Sequence, residues 1–321
     1  MEHFKDSEGS GRISGYQSSW TILHTYLGLK QTETVLIVTD TLRLKIAKSL
    51  YDTAREMQCD AIMMTMPPRS RDGEEPPRAV AEAMRNVDVV IALTTMSLTH
   101  TQARKEANDA GVRTASMPGV TEQMMIEGGL TANPKEVMDH TRRLAETFRG
   151  ASQVRITSEI GTDIYFDVED SQWRLDLGCC REQGCSTNLP AGEVYVVPEN
   201  CKGTVVIDGS MTGIELLKHP IKIKVDQGVA VDVQGDRANE VLKIINPLGD
   251  EARNIAELGI GTNPGARIIG VVLEDEKVRG TAHIALGDNS TIGGRVAAGV
   301  HLDAIMRKPR VFADGHEIAL L

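Results

Sequence analysis

The stretch TVLIVTDTLRLKIAKSLYDTAREMQCDAIMMTM (34–66) decides the fold class of this chain of 321 residues. It begins with the apolar run TVLIVTD (34–40), continues with apolar residues at helical spacing over 42–57, and ends with a second apolar run, AIMMTM (61–66). Continuous apolar runs are typical of strands that are buried on both faces, and a helix between two such strands makes them parallel. The stretch therefore predicts a strand, a helix and a second, parallel strand.

The same alternation continues to about residue 150. VDVVIALTT (87–95) and VRTASM (112–117) are typical of further strands, with helices at about 78–86, 101–110, 120–129 and 134–148. We therefore predict an α/β N-terminal domain over residues 1–150, with a parallel, Rossmann-like sheet. Strand 34–40 is followed by TLRLK, and GSGRISG (9–15) precedes every strand, so no dinucleotide-binding fingerprint is present.

The pattern changes after residue 150. QVRITSEIGTDIYFD (153–167) alternates apolar and polar residues around a Gly turn, which predicts a β-hairpin. We expect further strands in GEVYVVPE, GTVVIDG, IKIKVDQG and ARIIGVVLED (266–275), and helices at about 236–246 and 249–257. The sequence thus predicts a β-rich α+β domain over residues 151–321.

Composition excludes several classes of function. A net charge of −10 and 3% aromatic residues argue against a nucleic-acid platform, which needs a basic face and stacking rings. The sequence contains no apolar run long enough for a membrane helix and no apolar core of a signal peptide near its start. Five cysteines, an odd number, then favour a cytoplasmic protein with reduced thiols.

One loop of the predicted parallel sheet carries polar side chains. TTMSLTHTQARK (94–105) follows the strand at 87–95, and ligands in such sheets bind beyond the carboxyl ends of strands. His100, Thr101 and Arg104 could therefore face a site. Thr99 or Thr101 could equally cap the following helix, and the two interpretations are compatible.

Four segments of the second domain carry metal-ligand residues beside glycines. They are NLPAGEVYVVPE with Glu193, NIAELGIGTNPGA with Glu257, GTAHIALGDN with His283, and GVHLDAIM with His301 and Asp303. Carboxylates and imidazoles are the donors that divalent metals use, and in an extended H-x-D segment both side chains point to one side. Individually these residues have ordinary interpretations: a solvated Glu193, a Glu257 at a helix end, and a hydrogen-bonded core His283.

The cysteines offer a rival site. GCCREQGCS places Cys179, Cys180 and Cys185 close together in the sequence. The spacing is not C-x-x-C, and adjacent side chains of a strand point to opposite faces. Small buried thiols are therefore expected here rather than a zinc or iron–sulfur site.

In this order, the four metal-ligand segments resemble the M29 metallo-aminopeptidase (aminopeptidase T) family. NLPAGEVYVVPE, IAELGIG, HIALG and the terminal H-x-D match its motifs at Glu193, Glu257, His283, and His301 with Asp303. The resemblance implies that these five residues hold Zn, Co or Mn, and that the protein is a homodimer; a higher homo-oligomer stays open. Ser290 stands where the family has a tyrosine that is thought to assist hydrolysis.

The related 2,5-dihydroxypyridine 5,6-dioxygenase group shares these motifs. Its resemblance implies one Fe(II) ion held by His283, His301 and Asp303, a set of two histidines and one carboxylate. His100 is then a candidate catalytic acid or base, and Glu193 lies near the metal without binding it. Glu193 and Glu257 favour the two-metal enzyme, whereas the loss of the tyrosine at Ser290 favours another activity.

Three functions follow, and we place a metal-dependent aminopeptidase first. In this enzyme, metal-activated water would release N-terminal amino acids from a short peptide, and one of the catalytic carboxylates Glu193 and Glu257 would act as the base. Lys277 or Arg279 would stabilise the oxyanion, unless the two form a solvated surface pair. The alternative is an Fe(II)-dependent dioxygenase that opens the ring of a small dihydroxylated (hetero)aromatic. The third is a binding protein with a vestigial metal site.

Overall fold

The computed structural model describes residues 15–320. The Gly-rich stretch 9–14 and the rest of the N-terminal segment lie outside the described residues. The first half of the chain alternates helices and strands: α1 (Tyr16–Trp20), a π-helical continuation (Thr21–Tyr26), β1 (Thr34–Asp40), α2 (Leu44–Glu56), β2 (Asp60–Met66), α3 (Arg78–Met84), β3 (Val89–Leu93), α4 (Gln102–Asp109), β4 (Arg113–Ser116), α5 (Glu122–Glu127), a 3₁₀ turn (Gly129–Thr131) and α6 (Pro134–Thr147). None of the helices between residues 15 and 320 combines the length and apolarity needed to cross a bilayer.

These strands form the predicted parallel sheet, in the order β2-β1-β3-β4. A fifth strand, β8 (Ser186–Asn188), joins β4 in parallel although it comes from beyond residue 150. Cys180, Leu189 and Ala191, which flank β8, pack into the core of this first sheet. The chain therefore crosses back to the N-terminal sheet before it completes the second half, and the predicted boundary near residue 150 stays a prediction.

The second half forms two antiparallel sheets, each of seven strands within the described residues. One has the order β14-β13-β10-β6-β5-β18-β19 and the other β12-β11-β17-β16-β15-β9-β7. Their bounds are β5 (Gln153–Thr157), β6 (Asp163–Asp167), β7 (Arg174–Asp176), β9 (Glu193–Val196), β10 (Asn200–Ile207), β11 (Ser210–Met211), β12 (Glu215–Leu216), β13 (Ile221–Asp226), β14 (Val229–Gly235), β15 (Ile255–Gly261), β16 (Ala282–Gly287), β17 (His301–Met306), β18 (Arg310–Ala313) and β19 (His316–Ile318). The predicted fold class, a parallel α/β part followed by a β-rich part, is confirmed.

A shared apolar core holds the two antiparallel sheets together. Alternate residues of each strand, such as Ile164 and Phe166 in β6 and Leu258 and Ile260 in β15, are buried in it. Burial of alternate residues leaves the other face of each strand for different contacts. For the second sheet, that other face carries the candidate site.

Two predicted elements are wrong. The helix expected at 249–257 is 3₁₀ turns (Asn246–Leu248 and Asp250–Arg253) followed by β15, so Glu257 lies on a strand; the helix expected at 236–246 is present as α7 (Ala238–Ile245). The strand expected at 266–275 is a loop ending in the short helix α8 (Val272–Asp275). The loop is held by carboxylates, because Glu274 accepts N–H groups of Gly129 and Arg267, while Asp275 accepts those of Ile269 and Gly270.

The expectation that all thiols are reduced is also wrong for two cysteines. Cys180 and Cys185 form a disulfide, because the turn at Gly184 brings their Cα atoms to 5.6 Å. Cys59 and Cys201 are buried free thiols, and Cys179 is exposed. The neighbouring side chains of Cys179 and Cys180 thus lie in different environments, and these cysteines form no metal cluster among the described residues.

Candidate metal centre

One face of the second antiparallel sheet collects the predicted ligands. The apolar residues of β15, β16 and β17 fill the core, so Glu257, His283, His301 and Asp303 project from the opposite face. Most residues that pair with them across the sheet are small: Glu257 and Asp303 both pair with Ala285, His301 pairs with Gly287, and His283 pairs with Gly259 on one side and Ile305 on the other. Small neighbours leave room above the sheet for carboxylates and imidazoles to converge.

Glu257, His283 and Asp303 form one compact group. Each offers one ligand atom, and the three atoms lie within 4.8 Å of one another. His283 Nε2 is 3.3 Å from Glu257 Oε1, and His283 is fully buried at the base of the group. Three donors at this separation can surround one metal ion.

His301 completes the centre from its open side. As the H-x-D spacing predicts, its ring and the Asp303 carboxylate share one side of β17, with Nε2 3.2 Å from Asp303 Oδ1 and 3.7 Å from Glu257 Oε2. Nδ1 donates to the carbonyl of Asp288 at 2.7 Å. The side chains of His301 and Asp303 are 24% and 15% exposed, so the centre is reached from solvent on this side.

The hydrogen bond to Asp288 fixes the tautomer of His301. A carbonyl cannot donate, so Nδ1 carries the proton, and in the neutral ring Nε2 has a lone pair. That lone pair faces two carboxylates, Glu257 and Asp303, which are acceptors themselves. Such an arrangement is stable only with a cation among these atoms, either a second proton on the ring or a metal ion.

The pKa values of His283 and Asp303 also show that positive charge is stabilised at the centre. Burial alone would lower the pKa of His283, but the hydrogen bond with Glu257 and the charge of Glu193 outweigh it and raise this pKa to about 9. Burial would raise the pKa of Asp303, but His301 holds it well below its usual range. Without a metal, the imidazoles of the site are therefore protonated, and a bound metal ion would displace these protons.

Glu193 lies on β9, at the inner edge of the centre, and is buried rather than solvated. Its Oε2 is 3.4 Å from His283 Nε2, and Oε1 is 2.5 Å from Lys277 Nζ. Oε2 and His283 Nδ1 are buried polar atoms without a hydrogen-bond partner among the described residues. Unpartnered buried polar atoms beside clustered donors fit a site that takes up an ion.

One interpretation of the sequence placed Lys277 in a solvated surface pair, and the structure contradicts it. Lys277 is 1% exposed and contacts three buried carboxylates, those of Glu193, Glu276 and Asp176. Sequence reasoning missed Asp176 and Glu276, and it missed the positioning contact of Asp288. The charge run EDEK (274–277) was a signal, but such runs are usually solvated.

The loop after β3 places His100 at the rim of the centre. The pKa of His100 is lowered by desolvation and by the charges of His301 and Arg104, and the carboxylates of Asp288 and Asp303 oppose this shift. Thr101 caps α4 by accepting the Arg104 N–H, and the Arg104 side chain donates to the Thr99 carbonyl. Of the three polar residues expected at this site, Thr101 and Arg104 thus build the loop, and His100 interacts with the candidate ligands.

Ser290, which stands in place of the tyrosine, lies in a turn and is hydrogen-bonded to Asp288. It is exposed in the 3₁₀ segment Ser290–Ile292, and its hydroxyl donates to Asp288 Oδ1 at 2.7 Å. The same carboxylate accepts the N–H groups of Ala298 and Gly299. Ser290 therefore helps to hold the loop that carries the Asp288 carbonyl.

Comparisons with known proteins agree on one family. A family model described as NicX: 2,5-dihydroxypyridine 5,6-dioxygenase matches residues 19–320. The 2,5-dihydroxypyridine 5,6-dioxygenase of Pseudomonas putida KT2440 is 23% identical over 264 residues, which are 75% of this chain and 72% of that protein.

Two solved structures share the fold. The 2,5-dihydroxypyridine dioxygenase from Pseudomonas putida KT2440 has a TM-score of 0.78 at 16% identity, covering 97% of this chain and 96% of that chain. Wild-type AmpT from Thermus thermophilus has a TM-score of 0.67 at 17% identity, covering 97% of this chain and 100% of that chain. At these identities the likeness concerns the arrangement of the three sheets.

Proposed function

Because the chain belongs to the 2,5-dihydroxypyridine 5,6-dioxygenase family, we propose that it is an Fe(II)-dependent dioxygenase that opens the ring of a dihydroxylated (hetero)aromatic such as a dihydroxypyridine. One observation carries the proposal: Asp303 lies beside both histidines, with a ligand atom within 4.8 Å of one on His283 and its Oδ1 3.2 Å from His301 Nε2, on the side of the centre that solvent reaches. Two histidines and one carboxylate are the ligand set of non-haem Fe(II) oxygenases. The sequence motifs alone favour an aminopeptidase first, and the family match supports the dioxygenase better.

In this proposal His283, His301 and Asp303 hold the metal, and Glu257 lies between the two imidazoles. When bound, Fe(II) would supply the one-electron and O2 chemistry that amino-acid side chains lack. Buried His283 anchors the inner side of the centre, and partly exposed His301 and Asp303 leave the outer side to substrate. The buried donors and the unpartnered Glu193 Oε2 fit a divalent ion.

The chain's own residues would then prepare the substrate. The lowered pKa of His100 keeps its imidazole neutral near pH 7, so it can accept a proton from a ring hydroxyl at the rim. The Asp288 carbonyl holds the proton of the neutral His301 ring on Nδ1, so that Nε2 is the atom left to bind the metal. Glu257 is a second candidate base, because its two oxygens face His283 and His301.

A metallo-aminopeptidase acting on short peptides with Zn, Co or Mn is the second candidate. It is supported by Glu193 and Glu257, which both lie at the centre, and by the fold shared with AmpT. Two metal ions would activate water between them. This function needs Glu193 as a ligand, and one oxygen of Glu193 is already bound to Lys277.

An oxygen electrode distinguishes the two functions. In one assay, the protein is reconstituted with Fe(II) in the absence of oxygen and is then mixed with 2,5-dihydroxypyridine or another dihydroxylated ring in aerated buffer. In the other assay, the protein is reconstituted with Zn, Co or Mn and is given aminoacyl chromogenic amides. We expect oxygen uptake that requires the dihydroxylated ring and is lost in Asp303→Ala. Amide hydrolysis without oxygen uptake would support the aminopeptidase, and neither activity would support the vestigial site. The homodimer and the cytoplasmic location stay predictions.

A further inference from the structure

Lys277 lies in a buried cage of carboxylates beside the candidate metal centre. Its Nζ is 2.5 Å from Glu193 Oε1, 2.7 Å from Glu276 Oε1 and 3.4 Å from Asp176 Oδ2. The side chain is 1% exposed, and burial of an ammonium is tolerated only when opposite charges surround it. The cage therefore holds a fixed positive charge at a defined point.

Backbone contacts also hold the segment that carries Lys277. Gly261 of β15 lies beneath the segment, where an added Cβ would be 2.2 Å from the Val278 carbonyl oxygen and 2.8 Å from that of Glu276. Main-chain hydrogen bonds from Asn263 to Lys277 and from Arg279 to Asn263 tie the segment to the end of β15. The main chain of Lys277 is thus held against the end of β15, which fixes the point from which its side chain extends.

The carboxylates of the cage are also the donors of a second possible metal site. Glu193, Glu276 and His283 each offer a ligand atom, and these atoms lie within 4.8 Å of one another. A divalent ion would need their oxygens at about 2.0–2.2 Å. The ammonium already binds Oε1 of both glutamates at hydrogen-bond distance, so it and a metal ion compete for the same two carboxylates and would repel each other between them.

We infer that Lys277 takes the place of a second metal ion and limits the centre to one, on the side of His301 and Asp303. The inference rests on the proposed metal centre and deepens it. Glu193 then acts as a positioning residue: Lys277 holds its Oε1, and its Oε2 faces His283 Nε2 at 3.4 Å. One ion suits the ligand set of His283, His301 and Asp303, whereas a two-metal hydrolase would need the position that Lys277 fills.

Counting Mn²⁺ ions tests this inference without relying on activity. Equilibrium dialysis with Mn²⁺ alone, followed by electron paramagnetic resonance, is applied to the wild-type chain, Lys277→Met and Glu193→Gln. Lys222→Met is the control for loss of a lysine, because Lys222 is an exposed residue of β13. We expect one ion in the wild type, Glu193→Gln and Lys222→Met, and two ions with a spin-coupled spectrum in Lys277→Met.

Two ions in the wild type, or one ion in a folded Lys277→Met, would overturn the inference. If Lys277→Met does not fold, the wild type is compared with Glu193→Gln. A second ion in the wild type that is lost in Glu193→Gln contradicts the inference, and one ion in both proteins supports it. A wild-type chain that binds no Mn²⁺ or Fe²⁺ would instead refute the proposed metal centre, so the two failures are distinguishable.

Discussion

A Cβ atom on Gly259 would lie 2.1 Å from Nε2 and 2.2 Å from Cε1 of His283. The two residues pair across β15 and β16, so the imidazole lies directly over the glycine. From there Nε2 reaches both Glu257 and Glu193. The missing side chain at position 259 is thus the reason that a fully buried histidine can stand among these carboxylates.

Gly259→Ala should weaken metal binding and leave the chain folded. The added methyl meets the outer atoms of a side chain rather than backbone, so the imidazole turns away from the other ligands while β15 stays paired. Loss of one ligand's alignment should lower metal affinity about 10–100-fold. Metal titration and thermal unfolding of the metal-free protein measure the two effects.

Gly73→Ala is the control, because its added methyl would meet nothing within 4 Å, although its positive φ costs about 1 kcal/mol of unfolding free energy. Unchanged metal affinity in Gly259→Ala would show that His283 is not a ligand.

Asp288→Ala should also reduce metal affinity, through His301. The Asp288 carboxylate binds Ser290, Ala298 and Gly299, and its own carbonyl accepts the Nδ1–H of His301. Without the carboxylate the loop loosens, and we expect a loss of about tenfold in affinity together with faster proteolysis of the loop 288–300. Ser290→Ala removes one of these bonds and should have a smaller effect; equal losses in both variants would contradict this account.

Metal affinity should rise with pH between about 7 and 9. The pKa of His283 in the metal-free protein is raised to about 9, and a metal ligand must be neutral, so binding releases a proton below that pH. Each released proton gives about a tenfold gain in affinity per pH unit. The sign is opposite for the metal-free fold: the raised pKa stabilises it below the ordinary value of about 6.5, and this contribution is lost as pH rises through about 9.

Isothermal titration with a divalent ion at several pH values, in buffers of different ionisation enthalpy, counts these protons. Affinity that is flat from pH 7 to 9, with no proton release, would mean that His283 is neutral before the metal arrives.

His100→Asn should slow turnover and leave metal content unchanged. His100 stands at the rim and is proposed to accept a hydroxyl proton, and loss of such a base costs about 10²–10⁴-fold in rate. The fall of the turnover rate on the acid side of its pH profile should disappear when His100 is replaced. His316→Asn, an exposed histidine on β19, is the control. Full activity in His100→Asn would remove it from the mechanism, and loss of metal would assign it a structural role.

Much of the site follows from the period of the strands. In AHIALG every second residue is apolar and the residues between are His283 or small, and in HLDAIM Leu302, Ala304 and Met306 alternate with His301, Asp303 and Ile305. In IAELGIG the alternation begins after the register shift between Ile255 and Glu257. A period of two therefore places Glu257, His283, His301 and Asp303 on one face, which the H-x-D spacing predicts for the last pair. The run of turn and helix-forming residues before β15 makes a helix end the simplest prediction for Glu257 from local sequence.

Other features could not be read from local pattern. EDEK (274–277) has the composition of a solvated run, yet Glu274 and Asp275 accept backbone N–H groups of distant residues and Lys277 neutralises carboxylates 84 and 101 positions away, at Glu193 and Asp176. Likewise β8 is too short to signal a strand and is defined by its pairing with β4. Partners remote in sequence decide both.

The most direct test of the proposed dioxygenase is the origin of the product's oxygen. The Fe(II)-loaded protein is given 2,5-dihydroxypyridine under ¹⁸O2, and the ring-opened product is examined by mass spectrometry at short times, before exchange with water. We predict that both atoms of one ¹⁸O2 molecule enter each product molecule, with none in Asp303→Ala. Product oxygen that derives from water instead would contradict a dioxygenase and return the centre to hydrolytic chemistry.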